Sequence, residues 1–128
     1  MKPLPMKDAE STLFQSSPME VFDVGTQLES LRRQDQAGQD RTIILLKTDS
    51  LRLIFRALSA GTTLPTHKAP GPITVQILDG HIEFTAGEQT TPVRKGEVLA
   101  LENGVPHSVK ALQHSAILIT VAVRPQSS

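Results

Sequence analysis

Two histidines carry most of the chemical interest in this 128-residue chain. His67 closes the run Gly61-Thr-Thr-Leu-Pro-Thr-His67, and His107 closes Glu102-Asn-Gly-Val-Pro-His107. Each follows a turn-rich approach and leads into residues that favour strands. An imidazole placed this way can polarise a ligand or, when neutral, ligate a metal through a ring nitrogen. The alternative is that each ring hydrogen-bonds to backbone at a loop–strand junction. The other two histidines read differently. His81 follows an Asp79-Gly80 pair and is expected to face solvent from a strand, whereas His114 falls in a turn. Glu102 could act as an acid or base near His107, although an exposed turn carboxylate is the commoner case. Arg52 and Arg56 share one face of a strand and could hold a carboxylate ligand; water is the preferred reading.

Composition removes whole classes of chemistry. There is no cysteine, so disulfides, thiolate metal sites and cysteine nucleophiles are excluded. No Ser-His-Asp order with a glycine elbow, phosphate loop or His-Glu-x-x-His helix is present. Thirteen basic and thirteen acidic residues cancel, and four Phe without Tyr or Trp leave little for stacking on bases, which argues against nucleic acid as a partner. No window approaches the roughly 18 apolar residues of a membrane span. Met1–Asp8 lacks the apolar core of a secretory signal. A cytoplasmic protein without membrane partners is the expectation.

The elements that must position the histidines are mostly strands. Residues 1–40 read as an N-terminal arm and a short helix. Thr26 and Glu29 have capping-box spacing, Leu28 and Leu31 share a face, and Gly38 is a stop. Leu13, Phe14, Val21 and Phe22 are candidates to dock on a neighbouring surface. Residues 41–128 read as a β-barrel with strands at Thr42–Lys47, Leu51–Ser59, Ile73–Leu78, His81–Ala86, Thr90–Val93, Val98–Leu101, His107–Leu112 and Ala116–Val123. Asp79-Gly80 predicts a tight hairpin joining the third and fourth. The stretch between Gly61 and Pro72, with its prolines and His67, reads as a loop. Short strands with regular turn signals and little helix indicate an all-β sandwich or barrel.

These residues resemble the small single-domain cupins, whose fold is a double-stranded β-helix, or jelly-roll barrel. The first family motif is Gly, five residues, His, one, His, three or four, Glu, six, Gly. Gly61, His67 and Gly80 match it, while Ala69 stands at the second His and Ile73 or Thr74 at the Glu. The second motif is Gly, five, Pro, one, Gly, two, His, three, Asn. Gly96, Gly104 and His107 match; Glu102 and Ala111 stand at the Pro and Asn. The likeness covers residues 41–123. It implies a divalent metal such as Zn, Ni, Fe or Mn held by His67 and His107, with Gln76 a weaker third donor and Thr74, His114 or water as further candidates.

The pocket lining expected on this reading is Val75, Ile77, Thr74 and Phe55. Strand parity leaves two registers open: either Ile73, Val75 and Ile77 point inward, or Thr74 and Gln76 do. The resemblance implies a binding module that takes a small organic ligand into the barrel. A metal-dependent enzyme of dioxygenase, isomerase or decarboxylase type stands as the alternative. So does a ligand-sensing domain without its own DNA-binding part. An apolar-dotted arm and the edges of an open sheet point to a homodimer.

Overall fold

Strand-forming runs separated by Gly, Asn and Asp turns build two antiparallel sheets. The computed structural model describes residues 18–34 and 40–123, with side chains left aside at 31–34. Nine strands and one helix occur among these residues: α1 (Val24–Gln34), β1 (Arg41–Lys47), β2 (Leu51–Leu58), β3 (Thr63–His67), β4 (Ile73–Asp79), β5 (His81–Ala86), β6 (Gln89–Arg94), β7 (Val98–Leu101), β8 (His107–Ala111) and β9 (Ser115–Ala122). One sheet runs β1-β2-β9-β4-β7 and the other β3-β8-β5-β6. Successive strands mostly alternate between sheets, which is the jelly-roll arrangement expected from the sequence.

The interior is filled from both sheets. Leu58, Ile73, Val75, Ile77, Ile117 and Val121 of the first sheet meet Ile82, Phe84, Val93, Val109 and Ala111 of the second. Period-two alternation is clean on β4, where Ile73, Val75 and Ile77 are buried and Thr74 and Gln76 exposed. A second apolar layer lies on the outer face of the five-stranded sheet. There Leu45, Phe55, Ala57 and Ala116 are covered by Phe22, Val24 and Leu28 at and before the start of α1. The helix therefore packs outside the barrel, as its short apolar face predicts.

Several local expectations are corrected. The N-cap of α1 is Asp23, not Thr26: Asp23 Oδ1 accepts the Thr26 N–H at 3.0 Å, and the Thr26 hydroxyl donates to Oδ2 at 2.7 Å. Gly38 and the side chain of Leu31, like Leu13 and Phe14, lie outside the described residues. Val21 is exposed, while Phe22 does dock, on the second layer. The stretch read as a loop contains β3. Proline inside a strand pattern argues for an edge, where its missing N–H breaks no ladder. Pro65 sits in this way on the edge strand β3, at a shift of register between Leu64 and His67.

The Asp79-Gly80 pair is not a hairpin turn. β4 and β5 belong to different sheets, so the pair makes the corner between them. Gly80 has φ +93°, and a Cβ there would stand 2.3 Å from Ser115 Oγ and 2.5 Å from the His114 carbonyl oxygen. Close approach of the β8–β9 turn demands glycine, and the hairpin signal arises from the same dipeptide. Ser115 Oγ fastens the corner by accepting the His81 N–H at 3.0 Å.

Candidate functional site

His67 ends β3 and His107 begins β8, and the two are directly opposite in the ladder. Their ring centres are 4.5 Å apart, tilted by 58°. Below them Phe84 of β5 lies nearly parallel to His107 at 5.4 Å. The three rings form a column that grades from core to surface: Phe84 is 2 % exposed, His107 4 %, and His67 exposed. Sequence reasoning missed Phe84, whose part follows from the pairing Ala86↔His107 and could be read only once β5 and β8 were known to be neighbours.

Each imidazole is held by a backbone carbonyl two residues earlier. His67 Nδ1 lies 3.1 Å from the Pro65 oxygen, and His107 Nδ1 lies 2.9 Å from the Val105 oxygen. A carbonyl only accepts, so Nδ1 carries the hydrogen and, in the neutral ring, Nε2 carries the lone pair. The two sequence readings, backbone anchoring and a shared site, are thus compatible, because they use different nitrogens of the same rings. This is the orientation that metal-ligating histidines adopt.

Among the described residues, no group of three or more His, Cys, Asp or Glu is placed to hold a metal ion. Gln76 and Thr74 do not complete the set: both lie on the outer face of β4, away from the interior cluster. The register is the one that turns Ile73 inward, so an apolar side chain occupies the motif's carboxylate position. With metal–nitrogen bonds of about 2.0–2.1 Å, two imidazoles sharing one ion at roughly 90–110° have ring centres about 4.5–5 Å apart. The observed 4.5 Å fits that separation. The site thus brings together two imidazoles, and among the described residues no carboxylate or third histidine joins them.

The remaining expected lining residues divide. Val75 and Ile77 are buried in the interior cluster with Phe84. Phe55 is not in the barrel; it is fully buried in the outer layer under α1, because β2 turns its odd-numbered residues outward. Thr74 instead lines an open depression of 710 Å³ on the outer face, with Pro72, Ala100, Glu102, Asn103 and Thr120. Glu102 is exposed there. His114 Nδ1 accepts the Ala60 N–H at 3.1 Å, a structural role.

β2 supplies two residues that the sequence reading assigned to water. Arg52 and Arg56 pair with Val121 and Ile117 of the interior cluster, in the same row as Ile54 and Leu58. Both side chains are half-buried on the inner side of the sheet. The signal was present in the alternation of β2, but its other face is the greasier one. Arg56 adds to the field that, after the Ser59 N–H and alongside Ser59 and Thr62 hydroxyls, holds the Asp40 carboxyl below its ordinary value.

A two-sheet antiparallel jelly roll with an imidazole pair where β3 meets β8 defines the class: a small antiparallel β-barrel. The chain belongs to the cupin family, whose domain model matches residues 55–123. Among solved structures it is similar to a conserved protein of unknown function from Streptococcus pyogenes (TM-score 0.70, 23 % identity, 93 % of this chain and 100 % of that one). A cupin superfamily protein from Desulfitobacterium hafniense is similar too (0.69, 18 %, 88 % and 96 %). Salicylate 1,2-dioxygenase from Pseudoaminobacter salicylatoxidans matches at 0.61 and 22 %, over 76 % of this chain but 31 % of its own. At these identities the likeness is one of fold. No curated protein matches significantly. Among the described residues no helix is long and apolar enough to cross a membrane.

Proposed function

We propose that this cupin binds a small organic molecule beside the His67–His107 pair, together with a divalent ion that the two Nε2 atoms hold in part. The observation that carries the reading is the pair of Nδ1-to-carbonyl bonds, which leaves two neutral-ring lone pairs on adjacent rings. Two protein donors alone hold an ion weakly. Water and a chelating group on the ligand supply the other positions, so ion and ligand support each other's binding. The ion would supply charge to polarise a ligand oxygen. The chain's own residues orient: the Val105 and Pro65 carbonyls set the rings, and Phe84 backs His107.

A binding role is favoured over the metal-dependent enzyme because no third His, Cys, Asp or Glu joins the histidines among the described residues. Zinc or nickel titration by calorimetry tests the reading. Wild type should take up about one ion per chain, His67→Ala and His107→Ala should each abolish uptake, and His81→Ala and His114→Ala should retain it. Uptake should also fall on acidification, since a ligating imidazole must shed its second proton. No uptake by wild type at neutral pH, or equal uptake by all variants, removes the metal from the reading. A homodimer in the cytoplasm is part of the same proposal, and sedimentation at micromolar concentration checks the self-association.

A further inference from the structure

The inner side of the β1–β2 hairpin carries positive charge that the described residues answer only in part. Arg52 and Arg56 stand in the inward row of β2, yet the Nε of each is buried and has no hydrogen-bond partner. Lys47 of β1 is directly opposite Arg52 in the ladder. Like charges in that position repel, and a buried donor without an acceptor is costly. Among the described residues no carboxylate forms an ion pair with Lys47 or Arg52. Asp40 lies within the field of Arg56, whereas Asp49, in the adjoining turn, is exposed. The uncompensated pair is therefore Lys47 and Arg52.

Place in the fold makes the pair more than a solvated face. Arg52, Val121 and Ile73 form one row across β2, β9 and β4, and the last two are interior residues. The row holds a cation and no anion. β2 forms no ladder with β3, the exposed edge strand that ends at His67, so no backbone pairing closes the barrel between them.

We propose that Arg52, aided by Lys47, is an anion-binding residue of the barrel that receives the carboxylate of a small organic acid whose apolar body lies toward the interior. A carboxylate placed side-on takes one hydrogen bond from Nε–H and one from a terminal N–H of the guanidinium, which answers the orphaned donor with the two-pronged geometry that arginine favours. Its charge also relieves the repulsion between Lys47 and Arg52. This names the ligand class for the binding function proposed above and rests on that reading for the barrel as the binding site, though not on the metal.

The test uses benzoate as probe and benzamide, its neutral counterpart, with metal removed by chelator and again with zinc present. Calorimetry and thermal shift should show benzoate binding to wild type and benzamide binding at least about tenfold more weakly, the scale of a lost charge-assisted pair. Arg52→Gln should weaken benzoate by about tenfold or more, Arg52→Lys by less, and Lys47→Gln by a few-fold. Without ligand, Arg52→Gln should melt at or above the wild-type temperature, since it removes an unpaired donor and a repulsive charge. Equal binding of benzoate and benzamide, benzoate binding indifferent to Arg52, or a marked loss of unliganded stability in both Arg52 variants each overturns the proposal. Zinc uptake with benzoate indifferent to Arg52 refutes this inference alone. Arg52-dependent benzoate binding in a protein that takes no zinc refutes the metal alone.

Discussion

Removing the two histidines one at a time should separate support from chemistry. His107 is 4 % exposed, accepts the face of Phe84 at 5.4 Å and donates Nδ1–H to the Val105 oxygen at 2.9 Å. The hydrogen bond is worth about 0.5–1.5 kcal/mol and the stacked pair about 0.5–1.5 kcal/mol. With the void left beside Phe84, His107→Ala should cost about 2–3 kcal/mol in total. At this chain length that lowers the melting temperature by roughly 6–12 °C. His67 is exposed, and its ring bonds the Pro65 oxygen at the edge of the sheet. His67→Ala should stay within about 0.5 kcal/mol of wild type. Urea unfolding of chelator-treated protein, followed by circular dichroism, reads both costs with no metal in play. If His67→Ala costs as much as His107→Ala, or if both are silent, then the graded column of rings is wrong. Loss of zinc uptake in both variants despite their unequal stabilities would mark a shared ion rather than a shared fold defect.

Two further outcomes test the frame that carries the column. Phe55→Ala empties the layer beneath α1 and should cost about 3–5 kcal/mol in urea unfolding, while benzoate and zinc titrations of the folded variant stay near wild type, because Phe55 is outside the barrel. Acid should weaken the fold through Asp40, whose carboxyl is held below its ordinary value by the Ser59 N–H first and then by the Ser59 and Thr62 hydroxyls. A lowered value in the folded chain means stability present above the unfolded-state value near 3.8 and lost as pH falls through the folded-state value. Asp40 is exposed, so the contribution is about 0.5 kcal/mol or less after solvent screening. Asp40→Asn should flatten the stability curve between about pH 5 and pH 2 by that amount; an unchanged slope would show that these bonds contribute nothing in solution.

Much of the barrel was legible because strands announce themselves locally. β5 and β7 have the bounds that alternation gives, and most others differ by a residue or two at an end. What local pattern could not supply was partnership. Asp-Gly is compatible with a hairpin and with a corner between sheets, and the placing of β4 and β5 in different sheets distinguishes them. Proline hid β3, since a strand tolerates it only where no neighbour needs its N–H, and edge position is a property of the whole sheet. The histidines were visible through their spacing from Gly61 and Gly96. Their facing positions depended on the β3–β8 ladder, and the stack with Phe84 on the β5–β8 ladder.

β2 shows why the site's charged side went unread. Its odd positions, Leu51, Leu53, Phe55 and Ala57, are uniformly apolar, and its even positions alternate Arg52, Ile54, Arg56 and Leu58. Hydrophobicity alone assigns the odd face to the core and the even face to water. That inference holds for a sheet with one buried face, but here α1 gives the outer face an apolar layer of its own. The apolar side of β2 is satisfied by the helix, and the even side turns to the interior, where Ile54 and Leu58 join the core. Charge on the barrel side is thus tolerated because burial on the opposite side of the same strand helps hold it in place. A guanidinium whose Nε is buried and unpaired would be an unfavourable choice for a strand whose only task was packing. Its position in the inner row, beside Val121 and in line with Ile73, is intelligible if an oxyanion is part of what the barrel binds.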